Sequence, residues 1–150
     1  MSREDLESLQ LEKLQKQVAH VYQNSKFFRE KFREAGITPK DIRSLDDLQK
    51  LPVISKDDLR AQRRKTGDVF SDTLCVPLSE LVKINHSTGT SGVPNIYGLT
   101  ENDWDDLCDA FARSQYRIGM RPGDKTNSWL ESAMTWHGYF MTANGARHLG

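Results

Sequence analysis

Cysteine is scarce in this 150-residue sequence. The two present, Cys75 and Cys108, fall in no CxxC or metal-type spacing, so they read as ordinary thiols of a reducing cytoplasm and exclude a disulfide framework. No apolar run reaches the length needed to span a bilayer. The opening Met1-Ser-Arg-Glu-Asp lacks the charged-then-apolar order of a secretory leader. Charge of one sign is missing too: 21 basic and 21 acidic side chains cancel, which argues against nucleic acid as a partner. The four histidines, His20, His86, His137 and His148, show no HxH or HExxH spacing, so no metal site is expected.

What is there reads as one lean domain. The apolar share is 37%, the charged share 28% and the mean hydropathy −0.66. A free-standing chain of this length buries about 68–70% of its unfolded surface. Thirteen aromatic residues argue against disorder. The balanced charge hides an asymmetry: residues 1–70 carry a net +3 and residues 71–150 a net −3. Charges crowd the first half, and most glycines and all three tryptophans the second. This predicts a solvated helical lead over residues 1–66 and a mixed α/β segment over 67–150.

In the lead, Leu11, Leu14, Val18, Val21 and Tyr22 follow steps of three and four and make one apolar stripe. Asn24-Ser25 ends that helix and can cap a second one carrying Phe28, Phe32 and Ala35, which Gly36 stops. Ser44-Leu-Asp-Asp47 and Ser55-Lys-Asp-Asp58 are capping signals, a hydroxyl followed three residues later by a carboxylate. They predict two short helices joined through Leu51-Pro52-Val53-Ile54. Arg63-Arg64-Lys65 suits the C-terminal end of a helix better than a nucleic-acid patch.

The pattern changes after Gly67. Leu81 to His86 alternates apolar and polar as a strand does. A glycine- and hydroxyl-rich stretch runs from Ser87 to Pro94, and Ile96-Tyr97-Gly98-Leu99 can pair back as a hairpin. Thr100-Glu-Asn-Asp103 opens a helix with Trp104, Leu107, Cys108, Phe111 and Ile118 on its inner face, ended by Gly119. The carboxylates Asp103, Asp105, Asp106 and Asp109 sit where the helix dipole favours them. Arg121-Pro-Gly-Asp124 is a turn. A strand from Lys125 to Leu130 and a helix from Thr135 to Leu149 are expected, and the chain stops where an α/β fold would turn into its next strand.

One string carries chemistry. In Ser87-Thr88-Gly89-Thr90-Ser91-Gly92-Val93-Pro94, two glycines spaced by three allow a tight loop whose N–H groups converge, and hydroxyls edge it, which suits phosphate oxygens. It is neither GxxxxGK[ST] nor GxGxxG nor GxSxG. Composition alone leaves a plain surface turn and an anion site both open. His86, beside it, reads as a strand-end histidine satisfied by backbone rather than a phosphate donor.

The ordered pattern of strand, S-T-G-T-S-G-x-P and strand resembles the phosphate-binding signature of the adenylate-forming (AMP-binding) superfamily. Its surroundings resemble the phenylacetate–CoA ligase family. They are the opening helix with Phe27-Phe28-Arg29-Glu-Lys-Phe32 and Ala35-Gly36-Ile37; Asp41-Ile-Arg-Ser-Leu45, Asp47-Leu48 and Leu51-Pro52; and Lys56-Asp-Asp-Leu-Arg60 and Val76-Pro77. Val82-Lys-Ile84, Arg121-Pro122-Gly123-Asp124 and the closing Gly145-Ala146 to Leu149-Gly150 complete the set. The resemblance runs from about Leu11 to Gly150, the first third or so of such enzymes.

It implies the start of an α/β AMP-binding domain, with the rest of that domain and a C-terminal lid beyond the chain. It also implies a cytoplasmic ligase of aromatic acid catabolism that joins a carboxylic acid to coenzyme A through an acyl-adenylate, using ATP and Mg²⁺. Ser87, Thr88, Gly89, Thr90, Ser91 and Gly92 would bind the ATP phosphates, and Trp136, His137 and Gly138 would line an acyl pocket. The expected partners are the acid, ATP and CoA, with no nucleic acid or membrane, and a homodimer. Family members often carry a lysine in or just after the loop, where this chain has Val93-Pro94-Asn95. The family's adenine- and ribose-binding motifs, hinge and catalytic lysine fall beyond Gly150. The 150 residues alone are therefore expected to be inactive. A truncated relative serving as a non-catalytic binding module is the other expectation.

Overall fold

A computed structural model of the chain describes residues 1–87 and 93–125. The chain divides into two compact units, Met1–Val76 and the segment from Pro77 onward.

The first unit is helical. Helix α1 spans Arg3–Asn24 and starts in a capping box, Ser2 with Asp5. Ser25 then serves twice, closing α1 by donating its N–H to the Val21 carbonyl and capping α2 (Lys26–Glu34) by accepting from Phe28 N–H. Arg29 holds the C-terminal carbonyls of α1, donating through Nε to the Tyr22 carbonyl at 2.9 Å and through its other arm to that of Gln23. Gly36, at φ +68°, turns the chain out of α2 in the left-handed conformation that costs glycine least.

These joints fold α2 back onto α1. The apolar stripe then closes on Val18, Phe32 and Ile42, with Leu14, Val21, Tyr22, Ile37 and Leu51 packed around them. The Tyr22 and Phe32 rings stack at 6.0 Å. Phe27, rather than the expected Phe28 alone, goes fully inside, and the two rings meet edge to face at 5.4 Å. Burying a phenylalanine side chain of this kind contributes roughly 1.5–3 kcal/mol.

The expected short helices form, the first as a 3₁₀ turn over Leu45–Lys50 and the second as α3 over Lys56–Thr66. Both begin in capping boxes, Ser44 with Asp47 and Ser55 with Asp58. A third box, Thr38 with Asp41, starts the 3₁₀ turn Pro39–Asp41. Lys31 joins α2 to α3 through Asp58 at 3.1 Å. Those hydrogen bonds from Ser55, with Lys31 beside them, pull the Asp58 carboxyl down to about 2. Arg63, Arg64 and Lys65 occupy the last turn of α3, as expected of cations at that pole of the dipole.

The compositional change after Gly67 and the boundary between units do not coincide. Residues 67–76 stay with the first unit because a tight turn is tied into it. The Asp72 carbonyl accepts from Ser25 Oγ at 2.8 Å and from Phe27 N–H at 3.2 Å, its carboxylate accepts from Gln62 at 2.7 Å, and Phe70 is buried.

The second unit begins with a hairpin. Strand β1, Lys83–His86, pairs antiparallel with β2, Ile96–Leu99, in the register Lys83 to Leu99 and His86 to Ile96. Thr100 follows β2 directly and, with Asp103, boxes the start of α4, Glu101–Arg117. Fold class and hairpin agree with the reading of the sequence, although β1 starts at Lys83 rather than Leu81.

One position on α4 needs correcting. Ile118, placed on the inner face by its spacing, is 78% exposed. A 17-residue helix is about 26 Å long, whereas four strand residues reach about 13 Å. The far half of α4 therefore runs past the hairpin it packs on, and burial stops at Cys108 and Ala112. The expected strand at Lys125–Leu130 and helix at Thr135–Leu149 lie, beyond Lys125 itself, outside the described residues.

Candidate functional site

The hairpin mounts the candidate phosphate loop. Its two strands diverge after the pair His86 and Ile96, so Ser87 and Asn95 stand opposite each other where the loop leaves the sheet. Ser87 N–H donates to the Asn95 carbonyl at 2.9 Å. In return Asn95 N–H donates to Ser87 Oγ, at 3.0 Å. The Ser87 carbonyl is engaged by His86 Nδ1 at 2.8 Å. A carbonyl only accepts, so Nδ1 carries the proton there, and a neutral His86 has no N–H left to donate at Nε2. The backbone-satisfied reading of His86 therefore agrees with the geometry.

The base of the hairpin is fixed against α4. Lys83 Nζ lies 3.6 Å from the centroid of the Trp104 ring, a cation–π contact that gains strength where water is thin. Burial lowers the Lys83 pKa, and burial likewise raises that of the Cys108 thiol on the same helix. Asn85, between Lys83 and Ser87, is fully buried. Trp104 thus pins the sheet rather than forming a stacking platform.

Two carboxylates at the acidic start of α4 are engaged within the fold. Asp103 accepts from Thr100 N–H and Oγ1 at 2.9 and 2.7 Å, and Asp109 pairs with Arg113. Among the described residues no three His, Cys, Asp or Glu side chains gather into a cage for a cation. Among them, too, no helix is long and apolar enough to cross a membrane. At the other end of α4, the Arg121 guanidinium stacks on Tyr116 at 4.0 Å and donates to the Tyr116 and Met120 carbonyls. Arg121 N–H meets the Asp124 carboxylate at 2.8 Å. The Arg-Pro-Gly-Asp string is in this chain a device that ends a helix.

Of the residues expected to bind ligands, Ser87 stands at the loop neck, while Thr88, Gly89, Thr90, Ser91 and Gly92 lie outside the described residues, as do Trp136, His137 and Gly138. The sequence reading missed Asn95, whose part is played by its backbone, and the Lys83–Trp104 contact. Hairpin pairing would have pointed to the first; nothing local signals the second.

No family model matches the chain. Curated relatives do. The chain is 39% identical over 124 residues to the phenylacetate–coenzyme A ligase of Escherichia coli, a match covering 83% of this chain and 27% of that protein. The enzyme of the same name from Thermus thermophilus is also 39% identical over 124 residues, covering 82% and 26%. A crystal structure of 2-hydroxyisobutyryl-CoA ligase with 2-HIB-AMP and CoA in the thioesterification state superposes with a TM-score of 0.84 at 30% identity, over 99% of this chain and 31% of that one. The same ligase in its postadenylation state with 2-HIB-AMP gives 0.83 at 29%, over 99% and 30%.

Fold and sequence together set the class: the chain matches the N-terminal part of adenylate-forming acid–CoA ligases. Within that class its curated relatives are the phenylacetate–coenzyme A ligases, whose N-terminal portion it matches at 36–39% identity, and the resemblance read from the residues is borne out. The chain spans little more than a quarter of the length of those relatives.

Proposed function

We propose that this chain supplies the phosphate-binding N-terminal portion of a cytoplasmic, ATP-dependent carboxylate–CoA ligase acting on phenylacetate or a related aryl acid. The observation that carries the reading is the hairpin. It closes at Ser87 and Asn95, around a hydroxyl- and glycine-rich string, in a chain that aligns with the start of such ligases. In the reaction, acid and ATP give acyl-adenylate and pyrophosphate, and the CoA thiol then displaces AMP. The backbone N–H groups and hydroxyls of Thr88–Gly92 would meet the β- and γ-phosphates and stabilise the charge that builds on departing pyrophosphate. Val93-Pro94-Asn95 follows the loop, so no lysine stands directly after it. Trp136, His137 and Gly138 would face the acyl group. Mg²⁺, when bound, would share the neutralisation of the phosphates.

Phosphate contacts alone do not place a carboxylate against the α-phosphate. The 150-residue chain is therefore expected to release no pyrophosphate in an acid-dependent manner. The decisive experiment replaces the matching N-terminal portion of the Escherichia coli phenylacetate–CoA ligase with this chain and assays the two half-reactions separately. Thr90→Ala should remove a donor to a charged oxygen, roughly 1.5–3 kcal/mol or about 10- to 150-fold on adenylation. Gly92→Ala should cost about 1–3 kcal/mol through backbone strain. Thiol attack on preformed acyl-adenylate should change far less, because pyrophosphate has gone. Equal losses in both steps would make the loop structural. An inactive chimera, together with an intact fold, would favour the non-catalytic binding module.

A further inference from the structure

We propose that Ser87 is a positioning residue of the phosphate loop: its hydroxyl replaces a missing strand acceptor and latches the neck onto Asn95. The proposal rests on the reading of Thr88–Gly92 as the phosphate loop. In an antiparallel ladder a hydrogen-bonded pair exchanges two N–H to carbonyl bonds. By the register His86 to Ile96, the next pair is Ser87 with Asn95. One bond of that pair is present, from Ser87 N–H to the Asn95 carbonyl at 2.9 Å.

The second bond is rerouted. The Ser87 carbonyl accepts from His86 Nδ1 at 2.8 Å, so the backbone has turned out of the ladder. Asn95 N–H donates instead to Ser87 Oγ at 3.0 Å. The side chain thereby keeps the strands paired for one more residue after the main chain has left the sheet. His86 fixes the peptide that leads into the loop, and Ser87 fixes its width at the neck. Both residues and Asn95 are at least half-buried there, so water is a poor substitute for the lost acceptor. An alanine at position 87 would strand the Asn95 N–H, whereas threonine keeps the hydroxyl.

This differs from a ligand role in what it does before ATP arrives. In the ligand-free 150-residue chain, amide exchange at Asn95 should quicken about 2- to 13-fold in Ser87→Ala, the ratio that one neutral hydrogen bond commands, and return in Ser87→Thr. In the chimeric ligase, Ser87→Ala should raise the KM for ATP by a similar factor and leave kcat for adenylation within about twofold, with Ser87→Thr restoring the KM. Unchanged Asn95 exchange in Ser87→Ala overturns the latch whatever the ligase does. A tenfold fall in kcat at unchanged KM overturns it in favour of a direct phosphate contact. An inactive chimera with Ser87 intact, in which Asn95 exchange still responds to Ser87→Ala, overturns the ligase reading and with it the claim that the latch serves ATP.

Discussion

The described residues of the two units differ in the apolar side chains they enclose. The first encloses Val18, Phe27, Phe32, Ile42 and Phe70. From Pro77 on, the buried residues among those described are Cys108, Ala112 and the polar Asn85, while Leu78, Val82, Ile84, Val93 and Tyr97 stand exposed. A lone two-stranded hairpin is marginal in water; three or more strands or a packed helix are needed to steady it. Here α4 covers part of one face and overhangs the rest. The helical lead therefore carries its own core, and the loop-bearing unit depends on more protein than its described residues supply.

Cutting the chain at the boundary is the sharpest way to break that contrast. Residues 1–76 alone should melt cooperatively, and residues 77–150 alone should bind an apolar dye without a sharp transition. In the first piece, Phe32→Ala should remove about 3–5 kcal/mol and with it the cooperative urea transition. A second piece that melts sharply and binds no dye would erase the difference between the units.

A smaller effect sharpens the comparison from the other side. Thr100→Ala takes the cap from α4, worth about 0.5–2 kcal/mol. All three tryptophans lie beyond residue 100, so fluorescence reports the second unit by itself. If the hairpin and α4 are marginal without further strands, the tryptophan signal should shift already at room temperature. An unmoved signal with a lower melting point would mean that the hairpin and α4 hold together without help.

The smallest expected effect is a pH slope confined to the first unit. The Asp58 carboxyl falls from 3.8 to about 2 through its hydrogen bonds with Ser55 and its pairing with Lys31. A depressed folded pKa means stabilisation that is complete above the unfolded value and lost as pH falls through the folded one. The melting temperature of residues 1–76 should therefore drop between about pH 4 and pH 2, and Asp58→Asn should flatten that drop. Asp47, lowered by Lys50 and by the N–H groups of Arg43 and Ser44, acts in the same direction. A slope as steep in Asp58→Asn as in the parent would place its source elsewhere.

What the sequence revealed follows the range of the forces involved. Helix starts were legible because a capping box is a four-residue signal, complete in Ser55 to Asp58 or Thr100 to Asp103. The stripe from Leu14 to Tyr22 was legible because one period repeats along it. Ile118 was misplaced because spacing states which face a residue occupies and not whether the partner element is long enough to cover it. The turn at Asp72 and the contact of Lys83 with Trp104 join residues far apart in the chain, and no local pattern encodes such meetings. For the site, the string itself was legible as chemistry. The exchange of bonds between Ser87 and Asn95 needed the register of the hairpin.

That the first unit is continuous in sequence, from Met1 to Val76, also sets an order in time. Every partner in its core is on hand once Val76 has been added, so it can collapse while residues 77–150 are still being joined. At roughly 5–20 residues per second that is an interval of about 4–15 s, long against the microseconds to milliseconds in which small helical units fold. The hairpin that carries the phosphate loop is thus joined on the ribosome after every residue of the helical unit has been joined.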